Sequence, residues 1–152
     1  FPAHAANRDA QESRGLGDVY KRQVGVLETL LQKTVEYSKT RKQFGTVIGT
    51  FQALQHRMAD MFIECQLARS IVVMAAMKLD SSSGQREKTK AVSAAKSRVG
   101  KAIRKVSQEA VQIHGGIGVT NELDVGHYFK RATALEIMFG NTDYHVERFA
   151  SL

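Results

Sequence analysis

The stretch Gln112-Ile113-His114-Gly115-Gly116-Ile117-Gly118-Val119-Thr120-Asn121-Glu122 separates a long helical pattern before it from a shorter one after it. Three of the four residues from 115 to 118 are glycine. Because glycine has no Cβ, it adopts positive φ and lets another chain or a ligand approach its backbone closely. The stretch therefore predicts a helix C-cap followed by a turn, or a backbone surface that meets a partner.

The composition is that of a single globular domain. The chain has 152 residues, of which 43% are hydrophobic and 24% charged, enough apolar residues to form a core. No apolar run approaches the roughly 20 residues that cross a bilayer, so we expect no membrane span. The single cysteine, Cys65, excludes an internal disulfide and a cysteine-based zinc site. We expect it to be a core residue of a cytoplasmic, reduced protein without a metal.

Residues 1–23 differ from the rest of the chain. They contain the only proline, show no apolar periodicity and lack the apolar centre of a signal peptide. Residues 13–23 resemble the translation of a sequencing-library adapter. We therefore expect residues 1–23 to be a non-native leader of disordered or irregular conformation, and residues 24–152 to be the C-terminal part of a longer protein.

The formal net charge of +7 is concentrated in one basic run between residues 86 and 105. A basic helix could face nucleic acid or a phosphorylated ligand, or it could simply present a solvated face. No aromatic residues alternate with these charges, which favours the solvated face and no nucleic-acid partner. The basic residues of the run are Arg86, Lys88, Lys90, Lys96, Arg98, Lys101, Arg104 and Lys105.

From residue 24 onward, apolar residues recur at intervals of three and four, the spacing of amphipathic helices. The first predicted helix ends near Gly45. The second carries the stripe from Leu54 to Leu79, and a serine–glycine hairpin at residues 80–84 follows it. The third carries the stripe Ala91, Ala95, Val99, Ala102, Val106, Ala110 and Ile113, whose small residues favour close helix contacts.

The last third of the chain predicts two shorter helices. One begins near Asn121 or Glu122, with Thr120 or Asn121 as its N-cap, and the other covers residues 143–152. No strand pattern competes with the helices. The expected fold is all-α, an antiparallel up-down four-helix bundle with a short extra C-terminal helix.

Three polar segments lie at predicted helix ends: residues 37–45 with Phe51 and Gln52 beyond, residues 112–122, and residues 138–145. Each alone is typical of an ordinary helix terminus. An arginine such as Arg41 complements the dipole at a helix C-terminus, but its planar fork also suits a pyrophosphate. The order and spacing of the three segments together form a more specific signal.

Five motifs carry a resemblance to a known family. They are Arg41-Lys42-Gln43-Phe44-Gly45, Phe51-Gln52-Ala53-Leu54-Gln55, Ala59-Asp60-Met61, Ala68-Arg69 and the stretch from Gln112 to Glu122. Together they resemble the C-terminal helical domain of the acyl-CoA dehydrogenases, over essentially all of residues 24–152. The resemblance implies an FAD-dependent enzyme that dehydrogenates an acyl-CoA thioester between Cα and Cβ and passes electrons to an electron-transferring flavoprotein. It also implies a homo- or hetero-oligomer, commonly a tetramer with these bundles at its centre.

The resemblance further implies which residues contact FAD, on the flavin of a neighbouring subunit. Arg41 would contact the pyrophosphate, and Gln112 to Gly116 would approach the adenosine side. Thr142 would contact the flavin, although the spacing around it differs from the family pattern. The full implied set is Arg41, Phe44, Phe51, Gln52, Gln112, Ile113, His114, Gly115, Gly116 and Thr142.

The family usually has a glutamate before the glycine of the third segment, as the base that removes the α-proton. Here that position is Phe139, which accepts no proton, so we expect no catalytic residue in this chain and no activity from the chain alone. One hypothesis is a small subunit of a two-component, pimeloyl-CoA-type dehydrogenase that lacks the base. Another is a homotetramer whose base lies upstream. A non-catalytic helical interaction module would leave the ordered motifs unexplained.

Overall fold

The computed structural model describes the backbone of residues 2–152 and the side chains of residues 19–152. Within this part of the chain, helices dominate, and a hairpin of two short antiparallel strands joins the first two. Short 3₁₀ helices cover Ile48–Thr50 and Gly115–Val119. The elements are α1 (Pro2–Thr40), β1 (Lys42–Gln43), β2 (Thr46–Val47), α2 (Gln52–Asp80), α3 (Gln85–His114), α4 (Val125–Ile137) and α5 (Thr142–Ser151). The predicted all-α bundle with an extra C-terminal helix is confirmed.

Helix α3 is the central element, because it packs against α1, α2, α4 and α5. Its inward face consists mainly of alanine and valine, and small side chains let neighbouring helices approach closely. The predicted stripe is buried throughout, including Ala95, Val99, Ala102 and Val106, none of which has exposed surface. The periodicity in the sequence therefore identified the correct inner face of this helix.

Helices α1 and α2 complete the core with larger side chains. Leu27 and Leu30 of α1 and Met61 of α2 are fully buried. Cys65 lies in the same cluster, and burial raises the pKa of its thiol to about 12, with smaller contributions from nearby glutamates. The thiol is therefore un-ionised near neutral pH, and the prediction that Cys65 is a core residue is confirmed.

The first helix differs from expectation at both ends. Helix α1 is continuous from Pro2, whereas an irregular conformation was expected for residues 1–23. Val19, Tyr20 and Gln23 are buried and extend the apolar stripe toward the N-terminus by two turns. A non-native origin of residues 1–23 stays a prediction.

At its other end, α1 stops at Thr40 and not near Gly45. Strands β1 and β2 pair antiparallel, with Lys42 opposite Val47, and a two-residue loop joins them. Both loop residues have positive φ, +55° at Phe44 and +80° at Gly45, as tight hairpin loops of this kind require. Strands of two residues are too short to produce an alternating pattern in the sequence.

The start of α4 was also predicted incorrectly. The helix begins at Val125, and the preceding Asp124 makes no side-chain capping bond. The Thr120 hydroxyl accepts a hydrogen bond from the Glu122 N–H, so it stabilises a turn ahead of the helix. By contrast, α5 begins at Thr142, one residue before the expected position, and Asn141 caps it by accepting the Tyr144 N–H at 3.0 Å.

In the part of the chain that the structure describes, no helix combines the length and the apolar character needed to cross a membrane.

Two glycines in helices should respond in opposite ways to substitution by alanine. A Cβ on Gly100 of α3 would collide with the Thr142 hydroxyl, so Gly100→Ala should lower the free energy of unfolding by about 1–3 kcal/mol. Gly25 of α1 has open space around it, so Gly25→Ala should raise that free energy by about 0.5–1 kcal/mol. Urea denaturation measures both, and a Gly100→Ala variant as stable as the parent would contradict the close contact.

Candidate functional site

A surface cavity of about 340 Å³ lies where the ends of α1 and α3 meet the β1–β2 hairpin. Three segments that are distant in sequence form it. Eight of the ten residues implied by the family resemblance line the cavity: Arg41, Phe44, Phe51, Gln112, Ile113, His114, Gly115 and Gly116. The first two polar segments of the sequence therefore belong to one site.

Arg41 supplies an exposed positive charge at the cavity. Its N–H donates to the Tyr37 carbonyl and its own carbonyl accepts from the Ile48 N–H, both at 2.9 Å, so its backbone is held on both sides. The guanidinium makes no ion pair with any of the side chains described, from residue 19 to residue 152. Its donors remain available for an anionic group, for which the planar guanidinium is well suited.

Two phenylalanines form an aromatic edge of the cavity. Phe44 lies in the hairpin loop with 92% of its side chain exposed, although its φ of +55° is unfavourable for a residue with a Cβ. Its ring contacts Phe51 edge to face, with centroids 6.3 Å apart. The fold therefore presents an aromatic ring to solvent at a strained position, an arrangement associated with functional sites.

The three glycines after α3 serve different purposes. Gly115 has a φ of +64°, which favours glycine, and ends the helix as one of the sequence hypotheses expected. Gly118 packs closely, since an added Cβ would lie 2.9 Å from the His114 Cβ. Gly116 has neither positive φ nor any atom within 4 Å of an added Cβ. Nothing in the described part of the chain requires glycine at position 116, and its bare backbone lines the cavity.

His114 connects the end of α3 to the end of α1. Its ring stacks on Tyr37 with centroids 4.3 Å apart, and its Nδ1–H donates to the Ala110 carbonyl at 2.7 Å. Burial lowers the pKa of His114, against smaller opposing effects of the Ala110 carbonyl and Asp124. The neutral ring therefore carries its proton on Nδ1 and leaves Nε2 as an acceptor.

Two of the implied residues lie outside this cavity. Gln52 is exposed at the first position of α2 but is not among the lining residues. Thr142 is buried beside Gly100, and its hydroxyl donates to the Glu136 carboxylate at 2.9 Å. Gly100 precedes His114 by fourteen residues of one helix, about 21 Å at 1.5 Å per residue. Any flavin contact of Thr142 would therefore be separate from the cavity.

The implied FAD-contact set omitted four residues that line the cavity, namely Tyr37, Gln43, Ile48 and Leu54. Of these, Gln43 and Leu54 lie within the five motifs and Tyr37 within the first polar segment. Tyr37 lies one helical turn before Arg41, so the spacing alone could have placed both on one face. The contact of Ile48 depends on the hairpin, which the sequence did not reveal.

Three of the eight basic residues of the run on α3, Arg98, Arg104 and Lys105, form ion pairs within the bundle. Arg98 contacts the Glu64 carboxylate at 2.6 Å, and Lys105 lies 3.5 Å from the same glutamate. Lys96 is completely buried. These ion pairs neutralise part of the positive charge that binding a nucleic acid would need.

Among the described residues no cluster of three or more metal-binding side chains occurs.

The comparison with known proteins identifies the family. Residues 18–151 match the family model for the acyl-CoA dehydrogenase C-terminal domain. This chain belongs to the acyl-CoA dehydrogenase family. It is 44% identical over 110 residues, 72% of its length, to acyl-CoA dehydrogenase IpdE2 of Mycolicibacterium smegmatis. The resemblance recognised from the five motifs is confirmed.

Solved structures share the fold of this chain. Butyryl-CoA dehydrogenase from Megasphaera elsdenii matches 94% of this chain and 37% of its own, with 29% identity and a TM-score of 0.87. The ChsE4-ChsE5 complex from Mycobacterium tuberculosis matches 92% of this chain and 37% of its own, with 31% identity and a TM-score of 0.86. The chain spans about one third of the length of IpdE2.

The stability of the bundle should depend on pH through His114. Because the pKa of His114 is lower in the folded chain, the unfolded chain takes up a proton on this residue at a higher pH, near 6.5, than the folded chain does. The contribution of His114 to the free energy of unfolding is therefore complete above pH 6.5 and decreases below it. We expect His114→Gln to flatten this decrease in urea titrations at pH 5–7.5, with exposed His127→Gln as the control. If the free energy of unfolding of His114→Gln falls with pH as steeply as that of the parent, the lowered pKa of His114 is not the cause of the decrease.

Proposed function

We propose that this domain forms the FAD-contacting and oligomerisation part of a flavin-dependent acyl-CoA dehydrogenase that introduces a double bond between Cα and Cβ of an acyl-CoA thioester. The observation that supports it best is the convergence of Arg41, the exposed Phe44 ring and the bare Gly116 backbone at one cavity. FAD supplies the redox chemistry in such a reaction by accepting two electrons from the substrate.

The cavity residues fit the pyrophosphate and adenosine side of FAD. An unpaired guanidinium can give two parallel hydrogen bonds to phosphate oxygens, and a glycine backbone admits close approach. At about 340 Å³ the cavity is at the lower end of the range for small-molecule sites, so it suits one part of a dinucleotide. The remaining surface of the cofactor would be covered by other parts of the assembled enzyme.

No acid–base step is assigned to this chain. Phe139, at the position where the family usually has its glutamate, carries no ionisable group and has 53% of its side chain exposed. We favour a subunit of a two-component dehydrogenase, in which the partner provides the base. The alternative is a homotetramer with its base on another segment of a longer chain. Sequencing the genomic DNA around this coding region distinguishes the two alternatives. A neighbouring gene for a paired subunit would favour the first, and an upstream coding segment with the glutamate would favour the second.

An apolar surface on α2 is the candidate oligomerisation face. Met77 is 69% exposed and follows the fully buried Ala68 by nine residues, two and a half turns, so it lies on the opposite side of the helix. Exposed apolar patches of this kind mark protein interfaces. The face consists of Phe62, Ile63, Leu67, Val73, Met74 and Met77, all between 47% and 69% exposed. We propose a tetramer, of one or two kinds of subunit.

We propose that the electron acceptor is an electron-transferring flavoprotein. Its reduction by the complete enzyme, measured with and without acyl-CoA substrate, tests this. We assign the protein to the cytoplasm, and cell fractionation checks this assignment.

Arg41→Ala in the complete subunit should weaken FAD binding about 10- to 100-fold, because a charged donor to the pyrophosphate is lost. Flavin retained after gel filtration, read from its visible absorbance, measures the effect. The matched control is Arg131→Ala, which removes an exposed arginine of α4 outside the cavity. Equal flavin retention in the two variants would argue against the pyrophosphate contact.

Met77→Lys should weaken self- or partner association by placing a charge in the apolar α2 face. Light scattering with size-exclusion chromatography should show a smaller particle at the same protein concentration. Gln32→Lys, which adds the same charge on the exposed surface of α1, is the control. If Met77→Lys keeps the mass of the parent assembly, the α2 face is not the interface.

A further inference from the structure

Two Phe–Gly turns in this chain share an unusual conformation. Phe44 and Phe139 are the non-glycine residues with positive φ in the described part of the chain, and each precedes a glycine with positive φ. Both phenylalanine side chains are exposed. A strained residue persists only where its surroundings hold it, and such residues cluster at functional sites. The Phe44 turn borders the cavity, whereas the Phe139 turn lies between α4 and α5.

A buried lysine contacts the end of α4 just ahead of the Phe139 turn. The Lys96 ammonium donates to the Glu136 carbonyl at 2.8 Å and to the Leu135 carbonyl at 3.3 Å. These carbonyls belong to the last turn of α4, where the helix itself supplies no donors. The amide of Gln23 donates to the same Leu135 carbonyl at 3.0 Å. Side chains from α1 and α3 therefore supply hydrogen-bond donors to the last turn of α4.

The carboxylate of Glu136 joins the two sides of the turn. One of its oxygens accepts the Thr142 N–H at 3.1 Å, the Thr142 hydroxyl at 2.9 Å and the Arg104 guanidinium at 3.2 Å. Burial alone would raise its pKa, but these donors and the Lys96 charge outweigh it and lower the pKa. The carboxylate is therefore ionised near neutral pH and links the end of α4 to the start of α5.

Two further contacts leave the turn little freedom. The His145 Nε2–H donates to the Phe139 carbonyl at 2.9 Å. Gly100 of α3 has no side chain, and Thr142 occupies the space that a Cβ would fill. Lys96, Gly100 and Arg104 are spaced four residues apart and therefore lie on one face of α3, which we call the α3 turn-contact face.

We propose that the α3 turn-contact face positions the Phe139–Gly140 turn, where the family usually has its glutamate, with Lys96 as its principal positioning residue. The inference rests on the proposed function for the role of the turn, but not for its positioning. Burying an ammonium carries a desolvation penalty, and replacing buried charged groups by hydrophobic residues of similar size is often neutral or stabilising. Packing alone therefore does not account for a lysine at position 96. Two carbonyl contacts at the end of α4 give the lysine a specific task.

Hydrogen exchange of the 152-residue chain tests the positioning. The Gly140 N–H donates to the Ile137 carbonyl and the Thr142 N–H to Glu136, so both amides report on the turn. In Lys96→Met we expect their protection factors to fall about tenfold, the equivalent of about 1.4 kcal/mol. Core amides of α2 should change less than twofold. Lys96→Arg, which keeps charged donors, should stay within threefold of the parent.

The matched control is Lys101→Met, the same substitution at an exposed position of α3. The inference is wrong if Lys96→Met leaves the turn amides within twofold of the parent, or if all amides lose protection together. It is equally wrong if Lys96→Arg exposes the turn as much as Lys96→Met does. Should Lys96→Met fail to fold, Thr142→Val removes the hydroxyl donor from the same turn and should lower the protection of Gly140 about tenfold.

The FAD-loaded complete subunit separates this inference from the proposed function. Lys96→Met should shift the visible flavin spectrum while flavin retention stays within twofold, whereas Arg41→Ala should lose flavin. If neither variant loses flavin but Lys96→Met loosens the turn, the result contradicts the cofactor site and not the positioning of the turn. An unchanged spectrum in Lys96→Met would contradict an influence of the turn on the bound flavin.

Discussion

The close packing of the other helices on α3 determines the positions of both candidate contact regions. Its buried face of alanine and valine lets four helices approach it. At its C-terminal end, the stack of His114 on Tyr37 brings the glycine stretch beside the end of α1. Near its middle, Lys96 and Gly100 fix the turn between α4 and α5. One rigid helix of thirty residues therefore sets the distance between the two regions.

The bundle was predictable because each helix buries one stripe, and a buried stripe imposes a period of 3.6 residues on the sequence. Helix boundaries were less predictable, because they depend on structures that leave no periodic trace. The β1–β2 hairpin contains two residues in each strand, and the 3₁₀ helix Gly115–Val119 delays the start of α4 to Val125. The helical backbone before residue 24 was likewise missed, because the buried residues among its described side chains, Val19, Tyr20 and the polar Gln23, form too short a run to show a period.

The cavity was largely predictable because its residues lie in three compact motifs at helix ends. Those motifs implied eight of its lining residues. They did not predict the different tasks of Gly115, Gly116 and Gly118, which depend on φ and on neighbouring atoms. The contacts of Lys96 with α4 were also missed, since the partners are 39 and 40 residues apart and no local pattern connects them.

We propose that the ends of α1 and α3 bind the pyrophosphate side of FAD within a larger dehydrogenase. The most direct measurement is an experimental structure of the complete, FAD-loaded assembly. We predict phosphate oxygens within hydrogen-bonding distance of the Arg41 guanidinium and the cofactor against the Gly116 backbone, in the cavity between the hairpin and the glycine stretch. A cavity filled by protein side chains, with FAD bound elsewhere and no contact to Arg41, would contradict it.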